Sequence, residues 1–296
     1  MSPSVGTRPA VALRLPRLPG PRLDAPFVVV HVGQSAAVLR AGDDSLAITS
    51  RERGLVPGGV CVPHPADFAL VRRALVRRAL TPGAAVRPDL LLADLLPHAV
   101  RVDLRVPPTV PDATAVAALS RAVAAARVPA GVLPDPRPLR DLAGPLARAA
   151  LAGDDAGVAD LLHRLVGSGP GATPAGDDVV VGVLAALGAT PGSPAADARG
   201  RLARALPAVL HRTTWASRHD LRAAAAGQLA EHLHDLVRAT ADAALVPGTV
   251  ARARTWGATS GLDHASGVAA AAALALPTSG PRAGVPSVDT HLRRSA

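Results

Sequence analysis

The sequence predicts an α+β protein, with a β-rich N-terminal part followed by an all-helical C-terminal part. Three observations carry this reading. Short β-prone runs separated by turn signals fill the chain up to about residue 106, and "RVPPTVPD" (105–112) reads as an extended join. After it come capped segments with helical spacing of Leu, Val and Ala.

Residues 1–24 are rich in Pro and Arg, lack periodicity and are expected to be disordered. The β-rich domain is expected over 25–106, with strands at "FVVVHV" (27–32), "AAVLR" (36–40), "LAITS" (46–50), "GVCVP" (59–63) and "AVRVDLRV" (99–106). "AGDD" and "VPGG" supply turns between them, and one helix is expected over about 65–80. The three prolines of 105–112 forbid helix and weaken any strand. The helical domain is expected over 112–278. "DATAVAALSRAVAAAR" opens it with an Asp cap, and "LRDLAGPLARAALAG" and "DAGVADLLHRLVG" follow, each ended by glycine. Further helices are expected over 178–188, 194–212, 217–245 and 260–276. The third has the clearest apolar face and is read as stopped by "VPG". A disordered tail is expected over 279–296.

With 296 residues, the chain is long enough for one large domain or two ordinary ones. The formal charge is +9, yet all 32 basic residues are arginine, and lysine is absent. Beside the Ala and Pro excess, this looks like GC-rich coding bias acting on ordinary surface charge. Only four aromatics occur, so base stacking has little to work with and nucleic-acid binding is not expected. "RRALVRRAL" (72–80) reads as a helix with a solvated Arg face. The single cysteine, Cys61, excludes an internal disulfide and any cysteine metal cluster, and is expected as a small buried hydrophobe. The opening residues carry no continuous apolar segment, and "GVAAAAALAL" (267–276) is too short to span a bilayer. A cytoplasmic protein without membrane contact is expected.

Three glycine-marked segments carry the candidate chemistry. "GSGPGATPAGDD" (167–178) makes the backbone permissive before a helix start, where free N–H groups form a concave anion site. Gly169, Gly171 and Gly176 are read as that cradle. One of Asp177 and Asp178 is expected to cap the helix, leaving the other for proton transfer, a urea-type N–H or a cation. "TTWASRHDL" (213–221) adds Thr214, Ser217 and Arg218, with Ser217 and Asp220 resembling a capping box and Arg218 suited to clamp a carboxylate. "GATSGLDHASG" (257–267) adds Thr259, Ser260 and Asp263 at a further helix start. The three starts are expected to converge on one anion-receptive pocket, bordered by the acids at 177 and 178. His163, His232 and His234 have no metal spacing and read as surface residues.

These blocks, extended to "GSGPGATPAGDDVVVGVLAALGA", "RTTWASRHDLRAAAAGQLAEHLHDL" and "GATSGLDHASGVAAAAAL", resemble the signature blocks of a bacterial family long catalogued as a domain of unknown function. That family includes a subunit of the oxamate carbamoyltransferase of allantoin degradation, a branch of purine catabolism. The resemblance covers about 130–276; "SAAVLRAGDDSLAITSRERGLVPGGVCV" is similar to the family's β-rich opening in texture. Thr173, Gly176, Asp177 and Asp178 match the family pattern. Ala172, Ala175 and Val179 stand where the family usually has Leu, Ser and Phe, so position 175 offers no nucleophile. The resemblance implies carbamoyl transfer between an oxamate- or oxalurate-like acid and phosphate, and further subunits in a hetero-oligomeric complex. Thr173, Asp177 and Asp178 are then the catalytic candidates, and the glycines, Thr214, Ser217, Arg218, Thr259, Ser260 and Asp263 the substrate- or anion-binding ones. Two other readings use the same residues. One is a divalent-metal-dependent hydrolase of an amide or N-ribosyl substrate, with Mg or Mn on Asp177 and Asp178. The other is a non-catalytic subunit that binds a small anion.

Overall fold

A computed structural model describes residues 12–17, 22–42, 44–80, 84–126 and 135–276, so the tail expected over 279–296 lies outside the described residues. Among the described residues, seven strands form one sheet: β1 (Arg14–Pro16), β2 (Phe27–Val32), β3 (Ala36–Ala41), β4 (Asp44–Ser50), β5 (Val60–Val62), β6 (Ala85–Val86) and β7 (Val100–Val102), in the order β6-β2-β3-β4-β5-β1-β7. β2, β3 and β4 run antiparallel, while β4–β5 and β1–β7 are parallel pairs. Alternation selects the buried face: Ala37 and Leu39 of β3 face the same core as Leu46 and Ile48 of β4. Helix α1 (Pro65–Ala79) covers that face with Phe68, Val71 and Leu75.

Two expectations fail in this half. β1 lies within the stretch read as disordered, yet it sits inside the sheet between β5 and β7. Three residues are too few to show a period, and it is pairing on both edges, with Leu13 and Leu15 buried, that orders them. The strand expected over 99–106 ends at Val102, because Leu104 turns into a small cluster with Leu55 and Cys61. Cys61 is fully buried, as its neighbours predict, and burial pushes its thiol pKa up.

Helix α2 (Pro88–Leu91) lies between β6 and β7, and among the described residues ten helices follow the sheet: α3 (Ala113–Ala125), α4 (Arg137–Arg140), α5 (Ala143–Ala152), α6 (Asp155–Leu165), α7 (Ala175–Ala189), α8 (Ser193–Ala205), α9 (Trp215–Ala225), α10 (Glu231–Ala239), α11 (Val246–Ala253) and α12 (Ser260–Leu274). Asp112 caps α3 by accepting from Ala115 N at 2.9 Å, and α5 ends on left-handed Gly153. The helix expected over 194–212 stops at Ala205. Pro207 lacks the N–H to continue it, and two tight 3-10 turns complete the stretch. The long helix expected over 217–245 is two helices separated by a turn at Gly227 (φ 79°). "VPG" stops nothing; its proline occupies the first turn of α11, where no N–H is missed.

Every residue of α7 except Gly188 is buried, so α7 is the central helix. α12 packs along it in the same direction: Thr173 meets Ser260, Asp178 meets His264 and Gly182 meets Gly267. Their backbones touch at the glycine pair. A Cβ on Gly182 would stand 2.2 Å from His264 O, and one on Gly267 2.3 Å from Val179 O. Both helices therefore begin at the same end of the helical core.

The sheet is fastened to α10 through Glu231, whose carboxylate receives both Arg14 guanidinium nitrogens and Leu55 N (2.8 Å). Glu231 N in turn donates to Leu55 O, and Leu229 N to Leu104 O, each at 3.0 Å. In Glu231→Ala the fully buried Leu55 loses the acceptor for its N–H, and a loss of about 2–3 kcal/mol is expected. Urea unfolding measures it, and an unshifted midpoint would refute the role. Among the described residues, no helix is long and apolar enough to cross a membrane.

Candidate functional site

The three glycine-marked segments meet at the shared start of α7 and α12. The loop before α7 turns through Gly167 (φ 81°), Gly169 (φ 111°) and Gly171 (φ 98°), conformations that disfavour a Cβ. It is held from two sides. Thr214 Oγ1 donates to Ala172 O at 2.5 Å, and Thr173 Oγ1 lies 3.1 Å from Ser260 Oγ at the head of α12. The backbone N–H groups of Gly169, Gly171, Ala172 and Thr173 donate to no described residue, which leaves a short row of free donors beside a helix N-terminus.

Asp177 does not cap α7, whose N-cap position is Pro174. Its carboxylate instead accepts from Gly167 N at 2.8 Å on one oxygen and from the Thr213 hydroxyl on the other. Burial still raises its pKa against those hydrogen bonds. With a hydrogen bond on each oxygen, Asp177 ties the loop to the start of α9 and does not serve as the cap expected of one of the two acids. Asp178 does not cap either. It is 4% exposed, and its Oδ2 has no hydrogen-bond partner. Burial pushes its pKa well above the usual carboxylate range; Ser260 opposes the shift, and the Asp263, Asp220 and Asp177 charges add to it. Burial thus favours the protonated form of the Asp178 carboxyl, and its unpartnered Oδ2 leaves it able to take part in proton transfer.

His264, one turn into α12, places Nε2 3.4 Å from Asp178 Oδ1. Its Nδ1 lies 3.1 Å from His232 Nε2, and His232 stacks on Trp256 with ring centroids 3.6 Å apart. Burial pulls the His264 pKa down to about 3, helped by the nearby Arg53 charge, and lowers that of His232 as well, so both rings are neutral near pH 7. His232 was expected at the surface; the stack and the histidine pair turn its ring inward and leave the residue half-buried. His234 also turns inward, with Nε2 3.0 Å from Leu104 O, and His163 alone of the three is exposed. From the sheet side, Arg53 lays its guanidinium 3.7 Å from the Trp256 ring centroid. Burial lowers the Arg53 pKa, while the Asp178 and Asp220 charges support its cation. Asp220 on α9 is raised to about 6, chiefly by burial, and His219 beside it reaches the sheet through Pro57 O at 3.0 Å.

His232 has a measurable signature. Its folded pKa lies below the unfolded value, so under about pH 6.5 the unfolded chain binds a proton that the folded one does not, and stability is lost as pH falls. Relative to His232→Phe, which keeps a ring against Trp256, the native chain should lose up to about 1.4 kcal/mol per pH unit below that point. Parallel stability-versus-pH curves would contradict it.

The remaining candidates divide. Ser260 and Thr173 stand together at the loop, and Thr259 lies beside Asp263 at the head of α12. Gly176 does not face a ligand: its N–H donates to Ser168 O at 2.9 Å, and an added Cβ would stand 2.1 Å from Leu165 O, so its role is close packing. Ser217 is buried in the first turn of α9, but the cap there is Thr214, which accepts from Ser217 N at 3.1 Å; the expected capping box does not form. The Arg218 side chain makes no hydrogen bond or ion pair with a described residue, and Arg53 is the cation whose pKa the Asp178 charge supports. Asp263 is fully buried against Arg140, with Nε 2.6 Å from Oδ1. Among the described residues, no three His, Cys, Asp or Glu side chains gather closely enough to hold a metal ion.

Sequence reasoning missed Arg53, Trp256 and His264 and gave Asp220 only a capping role. The one signal for His264 was its place beside Asp263 in a glycine-marked helix start. Residues 165–272, which contain all three segments, match the family model described as oxamate carbamoyltransferase subunit AllH, and the match supports membership of that family. No curated protein and no solved structure matches the chain.

Proposed function

From its membership of the AllH family over residues 165–272, we propose that this chain is a subunit of a carbamoyltransferase, working with other subunits on small oxamate- or oxalurate-like acids. The reaction is oxalurate plus phosphate giving oxamate plus carbamoyl phosphate. It requires an anion cradle, a cation for the developing negative charge, and an acid that protonates the departing amide nitrogen. The observation that carries the reading is a buried Asp178 whose Oδ2 has no hydrogen-bond partner, in the helix that follows a loop whose backbone N–H groups donate to no described residue, with the Arg53 cation within electrostatic reach.

In this reading phosphate is held by the N–H groups from Gly169 to Thr173 and by the paired hydroxyls of Thr173 and Ser260. Asp178 protonates the leaving nitrogen, and Arg53 takes the part expected of Arg218. Asp177 and Thr213 fix the loop and touch no substrate. The test is phosphate-dependent release of carbamoyl phosphate from oxalurate by the partner subunits with and without this chain. Transfer should depend on its addition. Equal rates in its absence would end the reading.

A further inference from the structure

A second feature lies one residue-layer away from the helix starts. Between the sheet loop at Pro57 and helices α9 and α10 is a cavity of about 50 Å³, lined mostly by aliphatic side chains but also by Asp220, Gln228, His232, Trp256 and His264. Two of its lining residues carry nitrogens that are fully buried and have no hydrogen-bond partner, Gln228 Nε2 and His232 Nδ1. Gln228 as a whole is only 7% exposed. Buried nitrogens left unpaired are costly and rare in a folded chain, and two at one cavity indicate groups meant for a ligand. The volume suits only a few heavy atoms. Aliphatic walls disfavour a free charge, and the Asp220 carboxylate opposes an anion while accepting N–H donors.

We propose that this cavity binds a small, planar, uncharged amide or ureido group, whose carbonyl oxygen accepts from Gln228 Nε2 and whose N–H donates to the Asp220 carboxylate. His232 Nδ1 makes the third contact, and its role is set by a proton held elsewhere. When Asp178 is protonated, its O–H faces His264 Nε2, His264 Nδ1–H donates to His232 Nε2, and His232 carries its proton on Nδ1 as a donor toward the cavity. When Asp178 has released that proton, His264 Nε2–H faces the carboxylate, His232 Nε2–H donates to His264 Nδ1, and His232 Nδ1 becomes an acceptor. The atoms balance: one proton leaves Asp178, each histidine takes one and gives one, and one leaves His232 Nδ1 for the anionic amide nitrogen that carbamoyl transfer releases; an intact amide takes none. The separations of 3.4 Å and 3.1 Å along this line are those of a relay that tightens on binding. Equating the ligand with the amide end of a carbamoyl-transfer substrate rests on the function proposed above; amide binding itself does not.

The test is titration of the ¹⁵N-labelled full chain with the uncharged amides acetamide and urea, with acetate as control, followed through the Gln228 side-chain amide and the histidine ring nitrogens. Saturable shifts at Gln228 and His232 with both amides and not with acetate are expected. Gln228→Leu should weaken acetamide at least tenfold, His232→Phe should weaken it while keeping the Trp256 stack, and Asp178→Asn should change the His232 tautomer signal without abolishing binding. The amide spectrum of each variant verifies its fold, and titration of the native chain is decisive even where a variant fails to fold. No saturable shift at either residue, or equal affinity in both cavity variants, overturns the proposal. Binding without carbamoyl transfer in the complex would leave the cavity assigned and remove the carbamoyltransferase reading; transfer without amide binding would do the reverse.

Discussion

Gly267→Leu is expected to abolish the α7–α12 contact and with it the helical core. The first atom of any side chain at 267 would stand 2.3 Å from Val179 O, 2.8 Å from Val183 N and 2.9 Å from Gly182 Cα. All three are backbone atoms of a helix buried on nearly every side, so no rotamer change relieves them; one helix has to shift. Overpacking against movable side chains typically costs about 1–3 kcal/mol, and a backbone clash exceeds that range. Against a total stability of about 5–15 kcal/mol, a loss above about 4 kcal/mol leaves a large share of molecules unfolded or loosely packed at growth temperature. Circular dichroism melting and dye binding to exposed apolar surface measure it. Gly267→Ala should shift the midpoint in the same direction by less. A leucine variant that melts within a few degrees of the native chain would show that the helices do not cross as described.

Asp263→Ala comes next in size. Asp263 is fully buried and its partner Arg140 is 9% exposed. Removing one member of such a pair leaves the other charge buried and unpaired, at a cost of about 3–5 kcal/mol. Arg140 Nη2 and Asp263 Oδ2 are already without partners, so no other bond takes up the strain. Replacing both residues with leucine removes both buried charges and should recover most of the loss. Urea unfolding of the two single variants and the double one gives the comparison. A double variant as unstable as the sum of the singles would show that the two residues act independently.

The sheet-then-helices order was legible because hydrophobic period and turn chemistry are local signals. So were the Asp112 cap, the α1 boundaries and the burial of Cys61. β1 was not legible, since three residues acquire strand geometry only by pairing with β5 and β7, partners far along the chain. The break at Gly227 was missed because the leucines of α9 and α10 continue one helical period across it, and a single glycine inside a period is weak evidence of a turn. At the site, the residue types that mark helix starts also mark ligand sites. Meeting of the three segments was readable from their shared character, while the division of labour between Asp177 and Asp178 was not. It depends on Gly167 and Thr213, which claim one acid and leave the other unclaimed. Arg53 and Trp256 join the site only through packing of the sheet loop on the helices, which no local pattern encodes.

The central claim is that Asp178 works as the neutral proton donor of this junction. Turnover of the reconstituted complex carrying Asp178→Asn tests it most directly, because asparagine keeps the shape and has no proton of the needed acidity. The account predicts a fall of about 10²- to 10⁴-fold in carbamoyl phosphate release, with the melting midpoint of the chain and its assembly with the other subunits retained. Native turnover in that variant would contradict it.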